Sequence, residues 1–179
     1  NTKNYEKLSS YLPTDKNGNI PFNLFDARTI DAYLKLIIQP LNEFGVDFYF
    51  INNFNKNNEE RNFILKHYLY YDMYRYTNKR PIVCSYNSLT APHRYPVLYT
   101  GKSLVDWKTL KQMPKFNILA SNMGISFLSH DLGGTCDGIE DSELFIRFVQ
   151  LGVFSPILRL GSDAGKYYKR EPWKWNQLI

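Results

Sequence analysis

Residues 93–159 decide the fold, and four runs within or bordering that span carry the reading: HRYPVLYTGKSLVDW (93–107), SNMGISFLSHDLGG (121–134), DSELFIRFVQLG (141–152) and VFSPILRL (153–160). An apolar run of strand length stops at a Gly-containing polar turn three times, and a helix-like segment follows, which is the sequence form of a βα unit. In parallel α/β architectures, ligands and catalytic groups gather at the carboxyl ends of the strands. The turns to interrogate are therefore Gly101-Lys102-Ser103, His130-Asp131-Leu132-Gly133 and Arg159-Leu160-Gly161.

Working outward, residues 1–25 contain Pro13, Asn17-Gly18-Asn19 and Pro21 and read as a lead-in loop. Asp26 is placed to cap a helix with apolar positions Ile30, Tyr33, Leu34, Ile37, Ile38, Leu41 and Phe44 at steps of three and four. Pro40 should kink this helix and Gly45 should end it. The strand Val46–Ile51 follows, then a helix from Glu59 to Tyr76 with Phe63, Ile64, His67, Tyr68, Tyr71 and Tyr74 on one side. Strands at 81–85, 95–100, 125–129 and 154–158 alternate with helices around Trp107 and from Ser142 to Leu151. Hairpin signals are absent, so the pattern calls for an α/β fold with a parallel sheet, and residues 26–179 form one domain after the lead-in.

Composition excludes several classes. The 179 residues, 44% hydrophobic and 16% aromatic, can bury a core. The net charge of +5 comes from 22 basic residues dispersed among 17 acidic ones, so no nucleic-acid partner is expected. Without a run of 18 apolar residues, neither a membrane span nor a signal peptide is expected. Cys84 and Cys136 lack metal-ligand spacing, no His/Asp/Glu set suggests a metal, and no cofactor is expected. Cys84 reads as a small buried apolar group.

The run HRYPVLYTGKSLVDWKTL, followed by SHDLGG, DSELFIRFVQLGVFSPILRL and REPW, resembles the α-glycosidases of glycoside hydrolase family 31. Upstream, IPFNLFDARTIDAYLKLIIQPLNEFGVDFYFI is similar to that family's approach to its nucleophile strand. The resemblance implies a (β/α)8 TIM barrel, of which this chain supplies about strands four to eight, and a retaining mechanism acting on an α-linked glucoside or other oligosaccharide. A full barrel takes about 250 residues. The missing strands are expected from the rest of a parent chain or from a partner chain.

Two aspartates carry that family's chemistry: one attacks the anomeric carbon and the other protonates the leaving oxygen and then activates water. The resemblance places the nucleophile position on Asn52 and the acid/base position on Lys102. An amide oxygen is a poor nucleophile, and an ammonium carries the wrong charge beside an oxocarbenium ion. The family's sugar-binding Arg falls on Tyr86 and its His on Gly161, whereas the hydroxyl-binding Asp is kept as Asp131. Four departures at four strand ends imply a member without family-type hydrolysis, for which weak carbohydrate binding or a scaffolding role is expected. One alternative is an active α-glucosidase-like hydrolase using Asp131, Asp47 or Asp106, although Asp47 is expected to point into strand packing. The other is an interaction module on a barrel scaffold.

Of the remaining residues, Trp107 and Trp173 can stack on sugar rings, with packing the plainer role. Trp107 is kept as a substrate-binding candidate. His93 and Arg94 suit structural hydrogen bonding, His130 suits a satisfied strand histidine, and Arg147 and Arg159 suit internal ion pairs. Asp141 and Glu143 suit the amino end of the helix that follows them.

Overall fold

The computed structural model describes residues 2–51, 59–86, 92–95, 97–162 and 170–175. The chain divides into two compact units, residues 1–84 and 85–179.

The first unit opens on α1 (Lys3–Ser9), within the stretch expected to be a loop. The Thr2 side chain caps it by accepting from Tyr5 N, and no residue of α1 is buried, so it has no apolar stripe from which to be read. Asp26 caps α2 (Ala27–Tyr33) as expected, its carboxylate accepting from the backbone N–H groups of Arg28 and Thr29 and from the Thr29 hydroxyl. Asp26→Ala is expected to cost about 1 kcal/mol, measured by urea unfolding; no change would show that the helix is held by packing alone. The helix continues through a π-helical segment, Leu34–Ile38, into α3 (Gln39–Glu43). The expected kink at Pro40 is met by this π turn: Gln39 N–H reaches back five residues to Leu34 O, making room for a ring that lacks a donor.

The short strand β1 (Tyr49–Ile51) and α4 (Glu59–Tyr76) come next, with β2 (Val83–Tyr86) running across the boundary between the units. Ile38, Ile51, Leu69, Met73 and Val83 form the buried cluster. The inward stripe of α4 is Asn62, Lys66, Leu69, Asp72 and Met73 and not the aromatic face read from the sequence; Tyr74 is 66% exposed. Tyrosine carries its own polar end and tolerates water, so a row of tyrosines does not mark a buried face. Burial pulls the Lys66 ammonium down to about 8, with the Cys84 thiol opposing that shift. Asp72 accepts from Gln39 Nε2 at 3.0 Å and Asn42 Nδ2 at 3.3 Å, tying α3 to α4, and burial holds its pKa above the ordinary carboxylate value.

The second unit holds the end of β2, β3 (Val97–Tyr99), β4 (Leu104–Val105), α5 (Trp107–Asn122), β5 (Phe127–Ser129), β6 (Cys136–Gly138) and α6 (Ser142–Val153). Single 3-10 turns lie at Pro92–Arg94 and Pro172–Lys174. Strand β3 pairs parallel with β2 on one side and β5 on the other, with Leu98 opposite Ser85 and Leu128. The last expected strand is reduced to one parallel bridge, Ser129 to Ile157. An unexpected parallel pair, β4 with β6, ties the loop after β3 to the loop after β5. Asp106 caps α5 and Asp141 caps α6. Val105, Met113, Leu132, Leu144 and Phe148 make the core beneath these loops. Full burial of Phe148 contributes about 2–3 kcal/mol.

Candidate functional site

Asp131 is the centre of the second unit's strand ends. It lies two residues after the end of β5 and is 1% exposed. Its Oδ2 accepts from the Thr135 hydroxyl at 2.6 Å and from the Tyr99 hydroxyl, and its Oδ1 accepts from Arg159 Nη1 at 2.6 Å. The Arg159 guanidinium carbon lies 4.6 Å from the centre of the Tyr99 ring, so one cation serves both carboxylate and π face. Burial first, and the hydrogen bond to Asp131 second, hold the Tyr99 phenol above its ordinary range, which keeps it a donor. The backbone repeats the tie, with Leu132 N donating to Arg159 O and Gly134 N to Asp131 O, both at 3.0 Å.

His130 is a satisfied structural residue, as expected. Nδ1 meets Thr100 Oγ1 at 3.0 Å and Nε2 meets Asn117 Oδ1 at 2.9 Å. Burial pushes its pKa down to about 4, against the opposing charge of Asp131, so the ring is neutral near pH 7.

Of the positions expected to be substituted, Tyr86 ends β2, Lys102 follows β3, and Gly161 follows the segment that bridges β5 at Ile157. Lys102 is exposed and follows Gly101, whose φ is +91°. Tyr86 ends β2 with its ring against Gly101; a Cβ there would stand 2.2 Å from Tyr86 Cε2. The ring centres of Tyr86 and Tyr99 are 6.0 Å apart. Gly161 abuts the Asp131–Arg159 pair, since a Cβ at this position would lie 2.8 Å from Asp131 Oδ1. Asn52 lies outside the described residues.

The other candidates are placed elsewhere. Trp107 is 43% exposed at the start of α5, and its indole donates to Asp141 Oδ2 at 3.0 Å. Asp106 accepts from Thr109 N at 2.6 Å as the α5 cap. Asp47 does not point into strand packing: it is exposed and paired with Lys79, because β1 begins only at Tyr49 and leaves the carboxylate in water. Arg147 pairs with Glu143 on the surface of α6, whereas Arg159 makes the internal pair expected of it. Trp173 is 80% exposed, so packing does not hold it.

Tyr99 and Thr135 were not legible as site residues. Thr135 is four positions after Asp131 beyond two glycines, the spacing that lets a turn return a hydroxyl to its own carboxylate. Among the described residues no group of three or more His, Cys, Asp or Glu is placed to hold a metal, and no helix is long and apolar enough to cross a membrane. A cavity of about 310 Å³ lies between Tyr86, Leu98 and Tyr99 and the α5 residues Phe116, Leu119 and Ala120. Its mainly apolar wall does not suit the hydroxyls of a sugar.

The sequence profile of the Glycosyl hydrolases family 31 TIM-barrel domain matches residues 16–179. Neutral alpha-glucosidase C of Mus musculus is 32% identical over 105 residues, covering 56% of this chain and 12% of that protein. Alpha-xylosidase of Saccharolobus solfataricus is 29% identical over 106 residues, covering 56% of this chain and 14% of that protein. In structure, the cycloalternan-degrading enzyme from Trueperella pyogenes in complex with isomaltose aligns with a TM-score of 0.69 at 17% identity, covering 94% of this chain and 29% of that one. The chain thus spans a small part of the length of the relatives it matches.

Proposed function

The chain belongs to glycoside hydrolase family 31, the α-glucosidase and α-xylosidase family, with the fold of a partial (β/α)8 barrel, and from that premise we propose that it is a carbohydrate-binding member without family-type hydrolysis. Double displacement needs a carboxylate to attack the anomeric carbon and a second carboxyl group to protonate the leaving oxygen. By family resemblance those positions are Asn52 and Lys102. Losing general acid/base help alone costs about 10²–10⁴-fold in rate, and losing the nucleophile removes the covalent step altogether.

The observation that carries this reading is the surroundings of the acid/base turn. Tyr86 packs on Gly101 beside Lys102, and Asp131, the buried carboxylate among the described residues of this unit, is committed to Tyr99, Thr135 and Arg159. Asp47 and Asp106 are engaged by Lys79 and the α5 amino end, so neither suits the role of replacement acid.

Sugar binding centres on Asp131. A carboxylate offers about four acceptor positions, and three protein donors use those of Asp131, leaving one on Oδ1 beside Gly161. The ligand class is an α-linked glucoside or related oligosaccharide, bound weakly because hydroxyls that met Arg and His in the family here meet Tyr86 and Gly161.

With aryl α-glucosides and α-xylosides, turnover is expected to stay at the uncatalysed background. Calorimetry with α-linked disaccharides is expected to show weak heat that Asp131→Ala removes. Turnover above background that Asp131→Ala abolishes would overturn the proposal of inactivity; absence of heat with every disaccharide would overturn carbohydrate binding.

A further inference from the structure

We propose that Arg170 is a positioning residue that fixes the Asp131–Thr135 turn from behind, and thereby the direction in which the Asp131 carboxylate is presented. The proposal rests on the reading of Asp131 as the sugar-binding group, but its structural half can be tested without any sugar.

Arg170 is 7% exposed, and its Nη2 donates to Gly133 O at 2.9 Å and to Gly134 O at 2.7 Å. These two residues, with φ of +92° and +77°, form the left-handed part of the turn. The same turn closes on Gly134 N to Asp131 O and returns the Thr135 hydroxyl to Asp131 Oδ2. A single guanidinium nitrogen therefore clamps two consecutive carbonyls of the loop whose first residue is the hub carboxylate. Gly133 is required for this approach, because a Cβ there would stand 2.9 Å from Arg170 Nε. Arg170 is held in turn by Glu171: its backbone N–H donates to Glu171 Oε2 at 3.3 Å, and Glu171 Oε1 accepts from Lys174 at 2.7 Å.

The geometry gives Arg170 a function that bulk and charge alone do not supply. Its planar fork places a donor in a fixed direction, whereas a lysine ammonium on a flexible stem holds the two carbonyls less rigidly. The described hydrogen bonds of the Arg170 guanidinium go to the carbonyls of Gly133 and Gly134, so its effect reaches Asp131 through the turn.

The test uses the 179-residue chain, isotope-labelled, with Arg170→Met and Arg170→Lys. In Arg170→Met, hydrogen exchange at the Gly134 amide is expected to speed at least about tenfold, since it tracks opening of the turn. The Asp131 ¹³Cγ resonance should move, and affinity for α-linked disaccharides should fall by a similar factor. Arg170→Lys should show smaller changes of the same kind. A folded Arg170→Met with unchanged Gly134 exchange and an unmoved Asp131 resonance overturns the proposal. If Arg170→Met does not fold, Arg170→Lys decides by the same two signals, movement supporting the role and constancy overturning it. Disaccharide binding that is absent from the wild type while both signals respond to the variants would sink the carbohydrate reading and leave the positioning role standing.

Discussion

Asp131→Ala is expected to lower the free energy of unfolding by about 3 kcal/mol. Breaking a buried ion pair by removing one partner costs about 3–5 kcal/mol because the other charge is left without compensation. Here the carboxylate is 1% exposed but the Arg159 side chain is 36% exposed and can recover part of its hydration, which sets the figure at the low end. Two hydroxyls, Tyr99 and Thr135, also lose their acceptor. Asp131→Asn should cost less, since an amide oxygen still accepts one of these bonds. Urea unfolding of the two variants, with Arg159→Ala closing a double-mutant cycle, measures the pair. A loss below about 1 kcal/mol for Asp131→Ala, with no coupling to Arg159, would reduce Asp131 to an ordinary turn carboxylate.

The importance of this residue was visible in the sequence as a carboxylate flanked by a His and a pair of glycines at a strand end, but its partners were not. Tyr99 reads as one more apolar position in YPVLYT, and only the parallel register that sets Tyr99 opposite Ser129 brings its ring beside the start of the next loop. Helices were legible where caps and periodicity agreed: Asp26 and Asp141 act at helix amino ends as read, and α4 spans the expected residues, whereas the capping role of Asp106 was not read. Which face a helix buries was not always legible. On α4 the counting of aromatics pointed outward, while a lysine and an asparagine, Lys66 and Asn62, proved to lie inside. The parallel reading was correct for the described pairs of the second unit, but strand length was overestimated. Apolar residues such as Phe48, 58% exposed, and Phe154, 88% exposed, extend the sequence signal beyond the hydrogen-bonded ladder. The division of the chain inside β2 has no mark in composition at all.

Acid is expected to destabilise the protein through His130, and the sign follows from linkage. Its folded-state pKa of about 4 lies below the ordinary histidine value of 6.5, so between those values the unfolded chain binds more protons than the native one. Stability from this residue is therefore fully present near pH 7 and is lost as the pH falls from about 6.5 toward about 4. The separation corresponds to a loss on the order of 3 kcal/mol. The cause is local: protonating His130 would place a cation in a site that is 2% exposed and would turn the Nδ1 acceptor, which meets the Thr100 hydroxyl, into a donor. Asp72 works in the opposite direction, because its raised pKa favours the folded state as the pH falls, so the whole-protein profile is not the measurement to use. Unfolding free energies at pH 7, 5.5 and 4 should instead be compared between the wild type and His130→Gln, which keeps a polar side chain but cannot titrate. The wild type should lose the extra stability across this window and the variant should not. Parallel pH profiles for the two proteins would show that His130 is not the group that makes the fold acid-labile.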